Sequence, residues 1–120
     1  MRLVQITQRA VDLDRACEFY SRLLHAEPKY RDDAVGRAFF ELDSGVRLML
    51  SLGAEPALFL LQVDNAHEAI ETLGVPVVTK PQITFPHDSD NPGPGGYDEW
   101  QTFIEDTEGN TIGLVAHQRP

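Results

Sequence analysis

The stretch FIEDTEGNTIGLV, residues 103–115, decides the fold of this 120-residue chain. Two apolar runs flank Asp106, Thr107, Glu108, Gly109 and Asn110. Gly109 accepts a backbone angle that strains other residues, and the Asp106 carboxylate can bond the backbone of its own turn. The stretch therefore reads as a β-hairpin.

Upstream of the hairpin, ALFLLQV (57–63) reads as a strand. Asn65 and Glu68 have the spacing of a capping box and predict a helix to about Leu73, which Gly74 closes. Residues 77–79 begin another strand, with Pro76 tolerated just before it. The first half of the chain follows the same plan. Residues 3–9 read as a strand, and Asp12 is an N-cap for a helix running to about His25. Its apolar stripe is Leu13, Ala16, Cys17, Tyr20 and Leu24, widened by Phe19 and Leu23. Residues 29–32, 37–42 and 46–51 read as three strands, with Asp43, Ser44 and Gly45 as the turn between the last two.

The two halves are an internal repeat. Gln5 falls on Leu58, Asp12 on Asn65 and Ala16 on Ala69, at an offset of 53. Near the module ends Gly45 falls on Gly109, Leu48 on Ile112 and Leu50 on Leu114, at an offset of 64. The eleven additional residues fall mostly within PHDSDNPGPGGYDE, residues 86–99. The expected fold is α+β: paired βαβββ modules forming a curved mixed sheet around a cavity, helices outside. One domain, 1–120, would hold module one at 1–52, module two at 57–117 and a loop insertion at 86–99.

Composition agrees with a single globular domain: 42% hydrophobic and 24% charged residues are ordinary values. The formal net charge of −9 argues against nucleic acid and anionic membranes as partners, because both need a basic footprint. One cysteine, Cys17, allows no internal disulfide. No apolar run has the length of a membrane-spanning helix, and the first residues lack the pattern of a signal peptide. A cytoplasmic protein is expected.

A paired βαβββ repeat is the plan of the vicinal oxygen chelate superfamily, which includes glyoxalase I, bleomycin-resistance proteins and extradiol dioxygenases. VDLDRACEFY (11–20) resembles that family's first helix entry, VDNAHEAI (63–70) its second, and DTEGNTIGL (106–114) its closing hairpin, with Thr107 in place of the common proline. The resemblance covers essentially the whole chain. In metal-dependent members four strand positions hold one divalent ion. Carried onto this sequence they are Gln5, Met49, Leu58 and Gly113. Gln5 alone offers an oxygen donor, and Met49 only a soft thioether. The resemblance thus implies the fold without the usual metal site, and no cofactor is expected.

Strand alternation places further residues on the face of the former ligand positions. The expected small-molecule contacts are Gln5, Arg47, Met49, Leu58, Leu60, His87, Trp100, Gln101, Phe103 and Gly113, a mostly apolar set with a few polar groups. On this reading Gly113 frees volume and Met49 is an adaptable contact. Trp100 is either a core anchor or a wall of the cavity. In the long loop His87 is a candidate acid or base, and His87, Asp88 and Asp90 are a weaker candidate for a metal. His25, His67 and His117 carry no evident function; His117 is assigned to a C-terminal tail.

The leading expectation is metal-independent binding of a small, largely apolar or aromatic molecule in the cavity of a dimer. One alternative is an enzyme of isomerase, epimerase, lyase or dioxygenase-like type, with a relocated acid/base or metal site involving residues 86–100. Another is a non-catalytic interaction module. The homodimer is implied by the resemblance alone.

Overall fold

A computed structural model describes residues 1–90 and 92–120. They divide into two compact units, residues 1–57 with 106–110, and residues 58–105 with 111–120.

The first unit runs β1 (Gln5–Ala10), α1 (Leu13–Leu24), β2 (Tyr30–Asp32), β3 (Arg37–Glu41) and β4 (Arg47–Leu52). Asp12 begins α1 by accepting the Arg15 N–H at 3.0 Å. His25 ends it in the left-handed conformation, φ 52°, and its N–H bonds the Ser21 carbonyl. That is a position where glycine is usual. The sheet order is β1-β4-β3-β2, with β1 parallel to β4 and the other pairs antiparallel. Ala38, Phe40, Leu48 and Leu50 are fully buried, as are Ala16 and Tyr20 of α1. The alternate residues Phe39, Arg47, Met49 and Ser51 therefore occupy the sheet's other, open face. Gln8 is also fully buried, and is satisfied by both polar groups of Ala57: Nε2 donates to its carbonyl at 2.8 Å and Oε1 accepts its N–H at 2.9 Å.

The second unit runs β5 (Leu60–Gln62), α2 (Ala66–Leu73), β6 (Val77–Phe85), β7 (Asp98–Glu105) and β8 (Thr111–Gln118). Asn65 accepts the Glu68 N–H at 3.0 Å, and Gly74 closes α2 at φ 61°. The sheet order is β5-β8-β7-β6, again with one parallel pair, β5 and β8. β5 is shorter than the apolar run that predicts it, because only Leu60–Gln62 pair in register with β8. β6 is longer than expected, and Pro81 lies within it. Proline removes a ladder donor, and β6 is accordingly an edge strand with register shifts against β7. Asp98 and Glu99 belong to β7, not to the preceding loop.

The repeat offset of 64 reappears in the pairing. Phe39 pairs with Met49 in the first sheet, and Phe103 with Gly113 in the second. Thr7 pairs with Met49, and Leu60 with Gly113.

The turn 106–110 groups with the first unit, although its strands belong to the second. Asp106 Oδ1 accepts the N–H groups of Glu108 and Asn110 at 2.9 and 2.8 Å. Its Oδ2 accepts the Tyr20 hydroxyl at 2.6 Å and Asn110 Nδ2 at 2.8 Å. Gly109 takes φ 80°, as the turn reading requires.

Candidate functional site

The open face of the first sheet is built from three cross-strand rows. The central row is Thr7, Met49, Phe39 and Tyr30. Tyr30 stacks on Phe39 with ring centroids 5.5 Å apart and planes 21° apart. On one side lies the row of Gln5, Arg47 and Glu41. Arg47 Nη2 donates to Gln5 Oε1 at 2.8 Å, and its guanidinium carbon sits 5.2 Å from the Phe39 ring centre. Glu41 is occupied by Lys29 at 2.6 Å. On the other side lies the row of Arg9, Ser51, Arg37 and Asp32. Of the expected contacts, Gln5, Arg47 and Met49 thus come together here.

The second sheet brings together Leu60, Phe103 and Gly113, with Gln101 one row away beside Val115. The volume that Gly113 leaves is taken up by its neighbours. A Cβ at Gly113 would lie 2.6 Å from Leu60 Cγ and 3.0 Å from Phe103 Cε1. Those two side chains already fill the space, and the surface is an apolar floor. Leu58 lies just before β5 and is 65% exposed.

Strand alternation along the full lengths of β7 and β8 places a further pair on the same face. Glu99 and His117 are direct cross-strand partners, not loop and tail residues. Glu99 Oε1 lies 2.9 Å from His117 Nε2, and Gln101 Nε2 donates to Glu99 Oε2 at 3.3 Å. Their side chains are only 9% and 18% exposed. Gly93 lies close by, where a Cβ would run into the His117 imidazole. A buried carboxylate that orients an imidazole is chemically suited to moving a proton.

His87 and Trp100 are placed elsewhere. The His87 N–H and Nδ1 both lie on Asp98 Oδ1, at 2.7 and 2.9 Å. These bonds hold the Asp98 carboxyl below its ordinary range. Trp100 meets His67 of α2 edge-on, with ring centroids 5.0 Å apart. Its side chain therefore leaves β7 on the helix side, opposite Gln101 and Phe103.

The residues at the four positions that the resemblance singles out do not fit a divalent cation. Gln5 Oε1 is taken by Arg47, Met49 offers sulfur, Leu58 offers no donor, and a side chain at Gly113 would meet Leu60 and Phe103. Among the described residues no group of three or more His, Cys, Asp or Glu is arranged to hold a metal, the 87–90 segment included. No helix among them is long and apolar enough to cross a membrane.

Comparison with solved structures finds the same fold across full length. The chain is 17% identical to a lactoylglutathione lyase from Agrobacterium tumefaciens, with TM-score 0.70, covering 96% of this chain and 92% of that one. It is 17% identical to a glyoxalase-related enzyme from Fulvimarina pelagi, with TM-score 0.69, over 96% and 87% of the two chains. It is 17% identical to a glyoxalase/bleomycin resistance protein/dioxygenase from Alicyclobacillus acidocaldarius, with TM-score 0.65, over 97% and 91%. No family model and no curated protein matches the sequence.

Proposed function

We propose that this chain, built on the glyoxalase/bleomycin-resistance/dioxygenase fold, binds a small, largely apolar or aromatic molecule without a metal ion. Leu60 and Phe103 closing over Gly113 carry this reading, because they put hydrocarbon where metal-dependent members of the superfamily place a carboxylate. The central row of the first sheet, Thr7–Met49–Phe39–Tyr30, supports it with one adaptable thioether and two stacked rings. A homodimer belongs to the proposal through the resemblance, and light scattering in solution tests it. A cytoplasmic setting also belongs to the proposal, as the expectation carried over from the sequence.

The chain has two methionines, Met1 and Met49, so methyl-labelled protein gives one reporter on the open face and one control. A panel of small aromatic and aliphatic molecules should move the Met49 methyl signal and leave Met1 in place. Met49→Glu should abolish the binding of every hit. A panel that never moves Met49, or hits indifferent to Met49→Glu, overturns the reading.

The Glu99–His117 pair favours a second reading, proton abstraction from a bound carbon acid in the manner of an isomerase or epimerase. Deuterium uptake from heavy water into enolisable aryl ketones tests it. Uptake that survives His117→Gln rules this pair out as the base.

A further inference from the structure

The open face of the first sheet carries three of the chain's arginines, although acidic residues outnumber basic ones 19 to 10 overall. Its acids are already engaged. Glu41 pairs with Lys29, and Asp32 accepts the Ala34 and Val35 N–H groups at 3.1 Å each and the Tyr30 hydroxyl at 3.2 Å. The arginines differ in what they still offer. Arg47 donates to Gln5 and covers Phe39. The Arg37 side chain is exposed and makes no hydrogen bond or ion pair among the described residues, with Asp32 on β2 as its charged cross-strand neighbour. Ser51 lies in register between Arg37 on β3 and Arg9 on β4's other side. Its hydroxyl has no partner among the described residues, and neither does the buried Nε of Arg9. Arg9 Nη2 bonds the Glu108 carbonyl at 3.0 Å. One row away, about 7 Å along the strands, lies the aromatic row of Met49, Phe39 and Tyr30.

Unspent donors beside a flat apolar row define a ligand with two ends. We propose that this face takes a planar aromatic carboxylate, its ring against Met49 and the edge of the Tyr30–Phe39 stack and its acid group on Ser51 and Arg37. This rests on the small-molecule reading above and names the class of molecule. A guanidinium suits a carboxylate because its N–H groups match both oxygens. Met49 and the edge of the stacked rings supply an apolar contact that an arene satisfies.

Benzoate, 2-naphthoate, benzamide and acetate are the probes, read by the Met49 methyl signal with Met1 as control. The aryl carboxylates should bind at least tenfold more tightly than benzamide, and acetate should not move Met49. Arg37→Gln should cost the carboxylates about tenfold and leave benzamide unchanged, and Ser51→Ala a smaller loss of the same kind. Arg37 is exposed and Ser51 half-buried, and a thermal melt checks that both variants remain folded. If benzamide binds as well as benzoate, or Arg37→Gln weakens both equally, the acid assignment falls while small-molecule binding stands. If acetate competes fully with benzoate, the site is for simple anions and the aromatic assignment falls. If no aryl probe moves Met49, this proposal and the broader reading fall together.

Discussion

Glu108 and Arg15 form an ion pair at 2.8 Å in which the carboxylate is wholly buried and the guanidinium half exposed. The same carboxylate accepts the Val11 and Asp12 N–H groups at 2.8 and 2.7 Å and the Thr107 hydroxyl at 2.9 Å. A residue of the β7–β8 turn thereby holds the entry to α1. Burial by itself raises the Glu108 pKa, but these bonds outweigh it and hold the group down at about 2.

Glu108→Gln should therefore destabilise the protein by about 3 kcal/mol at neutral pH, because it loses the charge that compensates buried donors. The sign of the pH dependence follows from a folded pKa below the unfolded one. The contribution is complete above the unfolded value of about 4.3 and disappears as pH falls towards 2. Urea denaturation between pH 7 and pH 2.5 should show the gap between wild type and Glu108→Gln narrowing with acid. A gap independent of pH would refute the assignment.

Tyr20→Phe should cost about 1–3 kcal/mol by chemical denaturation. It removes the 2.6 Å bond to Asp106 Oδ2 and leaves that buried oxygen with Asn110 Nδ2 alone. Burial and the neighbouring Asp106 also raise the Tyr20 phenol well above its ordinary pKa. The ultraviolet titration of the native protein should consequently show Tyr20 silent until alkali unfolds the chain.

Gly113→Ala should destabilise by about 1–2 kcal/mol, since its methyl group would meet Leu60 and Phe103. Leu60 is 42% exposed and at the sheet edge, so it is the side chain that yields. In the double variant Gly113→Ala with Leu60→Ala most of the cost of the first change should vanish. Full additivity in the denaturation cycle would show that the two residues do not compete for this space.

Asp98→Ala should release the segment that His87 anchors. The His87 N–H and ring both lose their acceptor, while β7 keeps its ladder with β8. Limited proteolysis should cut residues 86–90 several-fold faster than in wild type. Unchanged cutting would mean that other contacts hold the loop.

Much of the fold is legible along the chain because its determinants are local. Asp12 and Asn65 cap their own helices within three residues, and Asp106 and Gly109 shape one turn. The alternation of Leu48 and Leu50 with Arg47, Met49 and Ser51 separates a packed face from an open one before any partner strand is known. The candidate site is less legible. Glu99 looks like part of a Pro- and Gly-rich loop and His117 like a tail, yet β7 and β8 extend far enough to pair them. Trp100 is ambiguous from sequence because a one-residue change of parity sends it to the other face of its strand.

The sequence by itself determined the order of the elements, the repeat and the absence of oxygen donors at three of the four positions that the resemblance singles out. Those properties depend on residue type and on short chain separations. Only the tertiary structure decided that Leu60 and Phe103 fill the space at Gly113, that Glu108 grips the start of α1, and that Arg37 and Ser51 are left with donors to spare. Each of those depends on register and burial among residues far apart in the chain. Which neighbour desolvates or bonds a side chain is fixed by packing, and the polar groups that packing leaves unpaired are the ones a ligand can use.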